Sequence, residues 1–163
     1  MKRVIAILAS VALLGAIATG VLVWQLSRTP TSELPEISAY TRGQLVRVGP
    51  YFYCQPRTNG ACESPGTIGH LVVNDRDAVQ LSLPPAIARS WWELRQDYGE
   101  QTPPKITEYL PGSDRLAVTI ATTDPERGRL AGIAVQLKTL AVDESGTELE
   151  WRHAEWSVST EWP

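Results

Sequence analysis

The sequence predicts an all-β domain of two packed antiparallel sheets, and three observations carry that reading. Short runs rich in Val, Ile, Leu, Thr and Tyr recur from residue 37 onward, punctuated by Gly, Pro, Asn and Asp. Several runs alternate strictly, as where Val79, Leu81 and Leu83 interleave with Gln80 and Ser82. Some eight to ten such runs are expected in the chain, enough for two sheets to cover one another. The roughly 125 residues that hold them form one domain of ordinary size, able to bury its own core.

The chain opens differently. Lys2 and Arg3 precede an uncharged run of 21 residues, 4–24, which Trp24, Gln25, Ser27 and Arg28 close. A membrane-crossing helix needs about 20 apolar residues, whereas the apolar core of a secretory signal has roughly 7–15. Residues 1–28 are therefore expected to be an uncleaved anchor that meets the bilayer through residues 4–24. Lys2, Arg3, Trp24 and Arg28 would lie at its interfaces. Trp24 suits the aromatic belt, and the leading charges put the N-terminus in the cytoplasm and the rest outside. The alternative is cleavage after Ala16-Ile17-Ala18, a small-x-small site that would leave Val21, Leu22, Val23 and Trp24 as an apolar stub. No cysteine directly follows the apolar run, so a lipoprotein is excluded. Residues 29–36, with Pro30, Thr31, Ser32 and Pro35, read as a tether, and 37–163 as the extracytoplasmic domain.

Within that domain, residues 37–40 and 45–48 flank Thr41-Arg42-Gly43-Gln44, the pattern of a hairpin. Residues 71–73 and 79–83 flank Asn74-Asp75-Arg76-Asp77 and read as a second one. Leu116, Val118 and Ile120 alternate with Ala117, Thr119 and Ala121. Ile133, Val135 and Leu137 form another inward row. Residues 139–142 and 147–151 flank Glu144-Ser145-Gly146, and Ala154, Trp156, Val158 and Thr160 line one face of the last strand. Residues 85–99 admit two readings. A helix would bury Ile87, Trp91, Leu94 and Tyr98. A helical turn over 85–90 followed by a strand would bury Trp92, Leu94 and Tyr98 and turn Trp91, Glu93, Arg95 and Asp97 outward. The second reading is preferred.

Charge limits the partners. All 18 acidic residues lie beyond Arg28 with 12 of the 15 basic ones, a formal −6 for the outer domain. Such a domain does not bind a phosphate backbone and is not drawn to anionic lipid by charge, so no nucleic-acid partner is expected. Cys54 and Cys62 are the two cysteines. In an exported domain they read as one disulfide closed over a turn containing Pro56, Asn59 and Gly60.

Val48-Gly49-Pro50-Tyr51-Phe52-Tyr53-Cys54 with a second cysteine shortly after, Leu81-Ser82-Leu83-Pro84 with Ile87-Ala88, and Trp92-Glu93-Leu94 with Tyr98 together resemble an actinobacterial family. Its members are exported or membrane-anchored envelope proteins carrying a domain of unknown function. The resemblance covers about residues 37–162. It implies a cell-envelope location and an immunoglobulin-like antiparallel β-sandwich with a tryptophan packed on the core. It brings no catalytic residues. Ser90-Trp91 stands where the family pattern has a small residue and proline.

Motifs for chemistry are sparse. His70 and His153 have no ligand-spaced partners and are expected on strand surfaces, so no metal site and no cofactor are expected. The sequence lacks G-x-S-x-G, S-x-x-K and H-E-x-x-H. The nearest carboxylate pairs, Glu93 with Asp97 and Asp124 with Glu126, read as a solvated face and a turn. No catalytic residue is assigned. Trp91, with Glu93 and Arg95 beside it, is the expected partner- or ligand-facing group, while the penultimate Trp162 is expected to be loose. The expected function is a non-enzymatic binding or accessory module with a membrane-protein partner. The alternatives are a carrier with a lipid or glycolipid ligand between its sheets and a carboxylate-based hydrolase.

Overall fold

The computed structural model describes residues 12–13, 15–24, 34–55, 61–99, 102–142 and 145–163. The chain divides into two compact units, Met1–Glu33 and Leu34–Pro163. In the first, residues 15–24 form a helix, α1, with exposed Ile17, Val21, Leu22, Val23 and Trp24. Among the described residues no helix is long and apolar enough to cross a membrane. Of the expected span 4–24, residues 4–11 and 14 lie outside the described residues, as do Lys2, Arg3, Arg28 and tether residues 29–33.

The second unit is all-β and mostly antiparallel, with thirteen strands among the described residues. A four-stranded sheet has the order β2-β1-β6-β9, from β1 (Ile37–Thr41), β2 (Gln44–Val48), β6 (Val79–Ser82) and β9 (Ala117–Ile120). The larger sheet has the order β4-β3-β13-β12-β7-β8. Its strands are β3 (Phe52–Cys54), β4 (Cys62–Glu63), β7 (Trp92–Asp97), β8 (Lys105–Tyr109), β12 (Gly132–Val142) and β13 (Glu148–Glu161). β5 (Ile68–Val72) joins it by a parallel pairing with β13. β10 (Thr123–Asp124) and β11 (Gly128–Arg129) form a separate small ladder.

The first hairpin forms as the sequence predicts. Thr41 pairs with Gln44 across a two-residue turn in which Arg42 and Gly43 have φ of 51° and 77°. Positive φ at both central residues matches the turn to the right-handed twist of the strands. The second predicted hairpin does not form. β5 pairs with β13 in one sheet, and β6 pairs with β1 and β9 in the other. The Asn74 side chain instead accepts the N–H groups of Arg76 and Asp77, at 3.0 and 2.8 Å, and turns the chain between sheets. Alternation specifies which face of each arm is buried, and both Leu71 and Val79 are buried, but it does not choose the neighbour.

Residues 85–99 take the turn-and-strand form. α2 (Pro85–Ala88) has a proline in its first turn and buries Ile87 and Ala88. Trp92 then enters β7, pairs with Leu137 and Tyr109, and is fully buried. Pairing on both edges fixes a two-residue period, and a helix cannot supply it. The late runs, read from sequence as four strands, fuse into the two long strands β12 and β13. One bulge interrupts them, where Leu137 faces Ala154 but Lys138 faces Arg152, leaving His153 as the extra residue.

One core receives side chains from both sheets and from α2, including Ile37, Val48, Leu71, Leu81, Ile87, Trp92, Ile120 and Trp156. The sheets approach closely where Gly69 of β5 lies over Val46 and Val48 of β2. A Cβ at Gly69 would overlap the Val48 Cγ2 methyl and lie 3.3 Å from that of Val46. Gly69→Ala is therefore expected to destabilise the domain by about 2 kcal/mol through overpacking. Guanidinium unfolding followed by circular dichroism checks it, and a midpoint equal to the parent's would show that β2 simply moves aside.

Candidate functional site

The outer face of the larger sheet collects the polar side chains. Register places Glu108, Glu93, Gln136 and Glu155 in one cross-strand row, on β8, β7, β12 and β13. The next row is Ile106, Arg95, Ala134 and Ser157, and the third is Asp97, Gly132 and Ser159. Gln136, only 3% exposed, donates to Glu155 Oε2 at 2.6 Å and accepts from Arg152 Nη1 at 3.1 Å. An open groove of about 440 Å³ runs beside it, with Gly132, Ala134 and Ser157 as small lining residues and Arg95, Asp97 and Arg152 as charged ones.

Lys138 organises the end of this face. Its ammonium lies 2.7 Å from Glu93, 3.2 Å from Glu150 and 3.4 Å from Glu108, carboxylates from three different strands. The hydrogen bond to Glu93 is the largest cause holding its pKa well above the ordinary lysine value, against the opposing effect of burial. The Trp91 indole N–H donates to Glu108 at 2.6 Å, and the ammonium sits 5.5 Å from the centre of the Trp91 ring. A second groove, of about 730 Å³, is lined here by Tyr53, Trp91, Pro111, Lys138, Leu140 and His153.

Trp91, Glu93 and Arg95 thus contribute to one outer surface, and two refinements follow. Glu93 is 7% exposed and committed to Lys138, so it is not presented to solvent as the sequence suggests. Arg95 is half-buried and donates to Asp97 at 3.4 Å. Asp124 takes the predicted turn role, accepting the N–H groups of Glu126 and Arg127 at 3.0 and 3.1 Å. The Glu126 bond is the leading cause that lowers its pKa.

His153 departs from expectation. The bulge places it among buried residues with Nδ1 3.3 Å from the Cys54 carbonyl, and desolvation lowers its pKa. A depressed histidine pKa means that the unfolded chain takes up the proton first. Stability is therefore complete above the ordinary value of 6.5 and falls as pH drops below it. His153→Gln is expected to flatten that acid slope in unfolding midpoints measured from pH 7.5 to 5. An unchanged slope would assign it to the carboxylates. His70 is exposed as expected, 3.3 Å from Glu161. Trp162 is not loose: its indole donates to the Leu130 carbonyl at 2.8 Å, and the Arg129 guanidinium covers its ring.

Cys54 and Cys62 form the predicted disulfide and pair across β3 and β4, while Pro56, Asn59 and Gly60 lie outside the described residues. Closing so short a loop is worth about 2.5 kcal/mol. The double variant Cys54→Ala, Cys62→Ala is expected to unfold at correspondingly lower denaturant, with no further change on adding reductant. Lys138, Glu108, Glu150, Gln136 and His153 were not visible as a group in the sequence. The one local signal was the polar pair Gln136 and Lys138 inside a largely apolar strand.

The fold and site together define a small disulfide-bonded β-protein with two sheets and a polar outer face. The chain belongs to the family described as "Protein of unknown function (DUF2771)", whose model matches residues 30–161. It is 47% identical to an uncharacterized protein of Mycobacterium bovis (Mb0899c) over 159 residues, which covers 97% of this chain and 98% of the relative. An uncharacterized protein of Mycobacterium tuberculosis (Rv0875c) matches with the same identity and coverage. No solved structure matches the chain.

Proposed function

We propose that the protein is a membrane-anchored, extracytoplasmic binding or accessory module of the actinobacterial cell envelope. In this reading an immunoglobulin-like sandwich is held outside the membrane by the N-terminal helix and serves as a non-enzymatic subunit of a membrane complex. The disulfide is the observation that carries it, because such bonds persist in oxidising compartments. The apolar side chains that α1 exposes support a lipid-facing N-terminus, and the two relatives described above are mycobacterial. Trp92 and Trp156 occupy the core shared by the sheets. That favours a ligand on the outer surface over a lipid held between the sheets.

Fractionation of cells expressing the chain at native level tests the proposal, combined with unreduced intact-mass analysis. The expected result is a chain that retains residues 1–28, carries the disulfide, and leaves the membrane with non-ionic detergent but not with alkaline carbonate. A released chain beginning near Thr19, or a cytoplasmic one with free thiols, would overturn it.

A further inference from the structure

β12 and β13 continue beyond their neighbours as a two-stranded ribbon. β7 pairs with β12 only as far as Leu137, and β3 pairs with β13 only at Ala154 and Glu155. In the ribbon Lys138 pairs with Arg152, Leu140 with Glu150 and Val142 with Glu148. The Lys138 N–H points away from β13, donating to the Trp91 carbonyl at 2.9 Å. Backbone groups alternate along an antiparallel strand, so the N–H and C=O of Leu140 and Val142 point to that same side. Among the described residues no strand pairs with them there. Their side chains are 54% and 65% exposed. The 730 Å³ groove adjoins this edge, since Lys138, Thr139 and Leu140 line it with Trp91, Tyr53 and Pro111.

We propose that the free edge of β12 at Leu140 and Val142 binds an extended segment of another protein by strand addition, and that this segment alternates basic and apolar residues. The inference rests on the module reading above and names the kind of partner it takes. Main-chain bonds to Leu140 and Val142 supply affinity, and the adjoining aromatic groove accepts the apolar side chains. Charge selects the occupant. Glu150 and Glu148 lie one strand further in, on β13 opposite Leu140 and Val142, and with Glu93 and Glu108 they set four carboxylates against the Lys138 ammonium and the Arg152 guanidinium at this end of the ribbon. A basic segment is attracted and steered in.

The test uses the full chain in non-ionic detergent and three fluorescent ten-residue probes. One alternates Lys with Val, one alternates Glu with Val, and one is the Lys–Val peptide N-methylated on every second backbone amide. The expected result is saturable binding of the first probe alone, with slowed amide exchange at Leu140 and Val142. Glu148→Lys should weaken it about threefold. Leu140→Pro should weaken it about tenfold, because it removes an edge N–H that β13 does not use. The N-methylated probe makes the same point on the unaltered protein if Leu140→Pro fails to fold. Absence of binding, equal binding of the N-methylated or acidic probe, or self-association through this edge would each overturn the proposal. None of these outcomes bears on membrane retention or the disulfide, so the module reading stands or falls separately.

Discussion

Trp156→Ala is expected to destabilise the domain by roughly 3–5 kcal/mol, a large part of the stability typical of such a domain. The residue is fully buried in the middle of β13, and its ring meets that of Tyr53 edge-on at 6.2 Å. Its indole N–H donates to the Pro35 carbonyl at 2.7 Å and so fastens the segment entering β1 to the larger sheet. Truncation removes the packing and leaves that carbonyl without its donor. Trp156→Phe keeps most of the volume and loses only the hydrogen bond, so its cost should be about 1–2 kcal/mol. Guanidinium midpoints of the two variants separate the contributions. Equal losses would mean that the hydrogen bond, and not the packing, holds the segment.

Lys138→Met is the second large effect. The methionine retains the side-chain length but leaves Glu93, Glu108 and Glu150 without their shared cation. Removing one partner of a fully buried pair costs roughly 3–5 kcal/mol. Glu108 and Glu150 reach solvent, so about 2 kcal/mol is expected here, concentrated in the pairing of β12 with its neighbours. The pH dependence has a definite sign. The folded chain holds the Lys138 proton above the ordinary value of 10.5, so the stabilisation is complete below that value and is lost as pH rises past it. The methionine variant should lack this alkaline loss. A variant as stable as the parent at pH 7 would assign the ribbon's position to backbone pairing alone.

Much of the fold was legible because side-chain period carries it. The inward rows of β6, β12 and β13 could be read from alternation, as could the burial of Trp92 over Trp91, and the disulfide was expected from two cysteines eight positions apart around a turn. Pairing was the harder inference. Residues 71–83 look like a hairpin locally, yet Leu71 and Leu81 belong to opposite sheets, since β5 is needed beside a strand more than eighty residues later. The candidate site shares that difficulty. Trp91, Glu93 and Arg95 could be named from one strand, but Glu108, Lys138 and Glu150 join them only through the register of β8, β12 and β13. His153 was misjudged because a bulge reverses the facing that strict alternation assigns.

The parallel ladder between β5 and β13 also sets an order of events during folding. Of the strands among the described residues β13 comes last in chain order, yet it is an inner strand of its sheet, flanked by β12 on one side and by β3 and β5 on the other. Until residues 154–161 are in place, β5 lacks its partner in the larger sheet and β3 is held only by β4. Completion of the larger sheet therefore waits on pairings of high sequence separation, which is the slow step expected of such a topology. Loss of residues 154–163 would strip β3 and β5 of their partner, so a chain lacking them should be degraded and not accumulate.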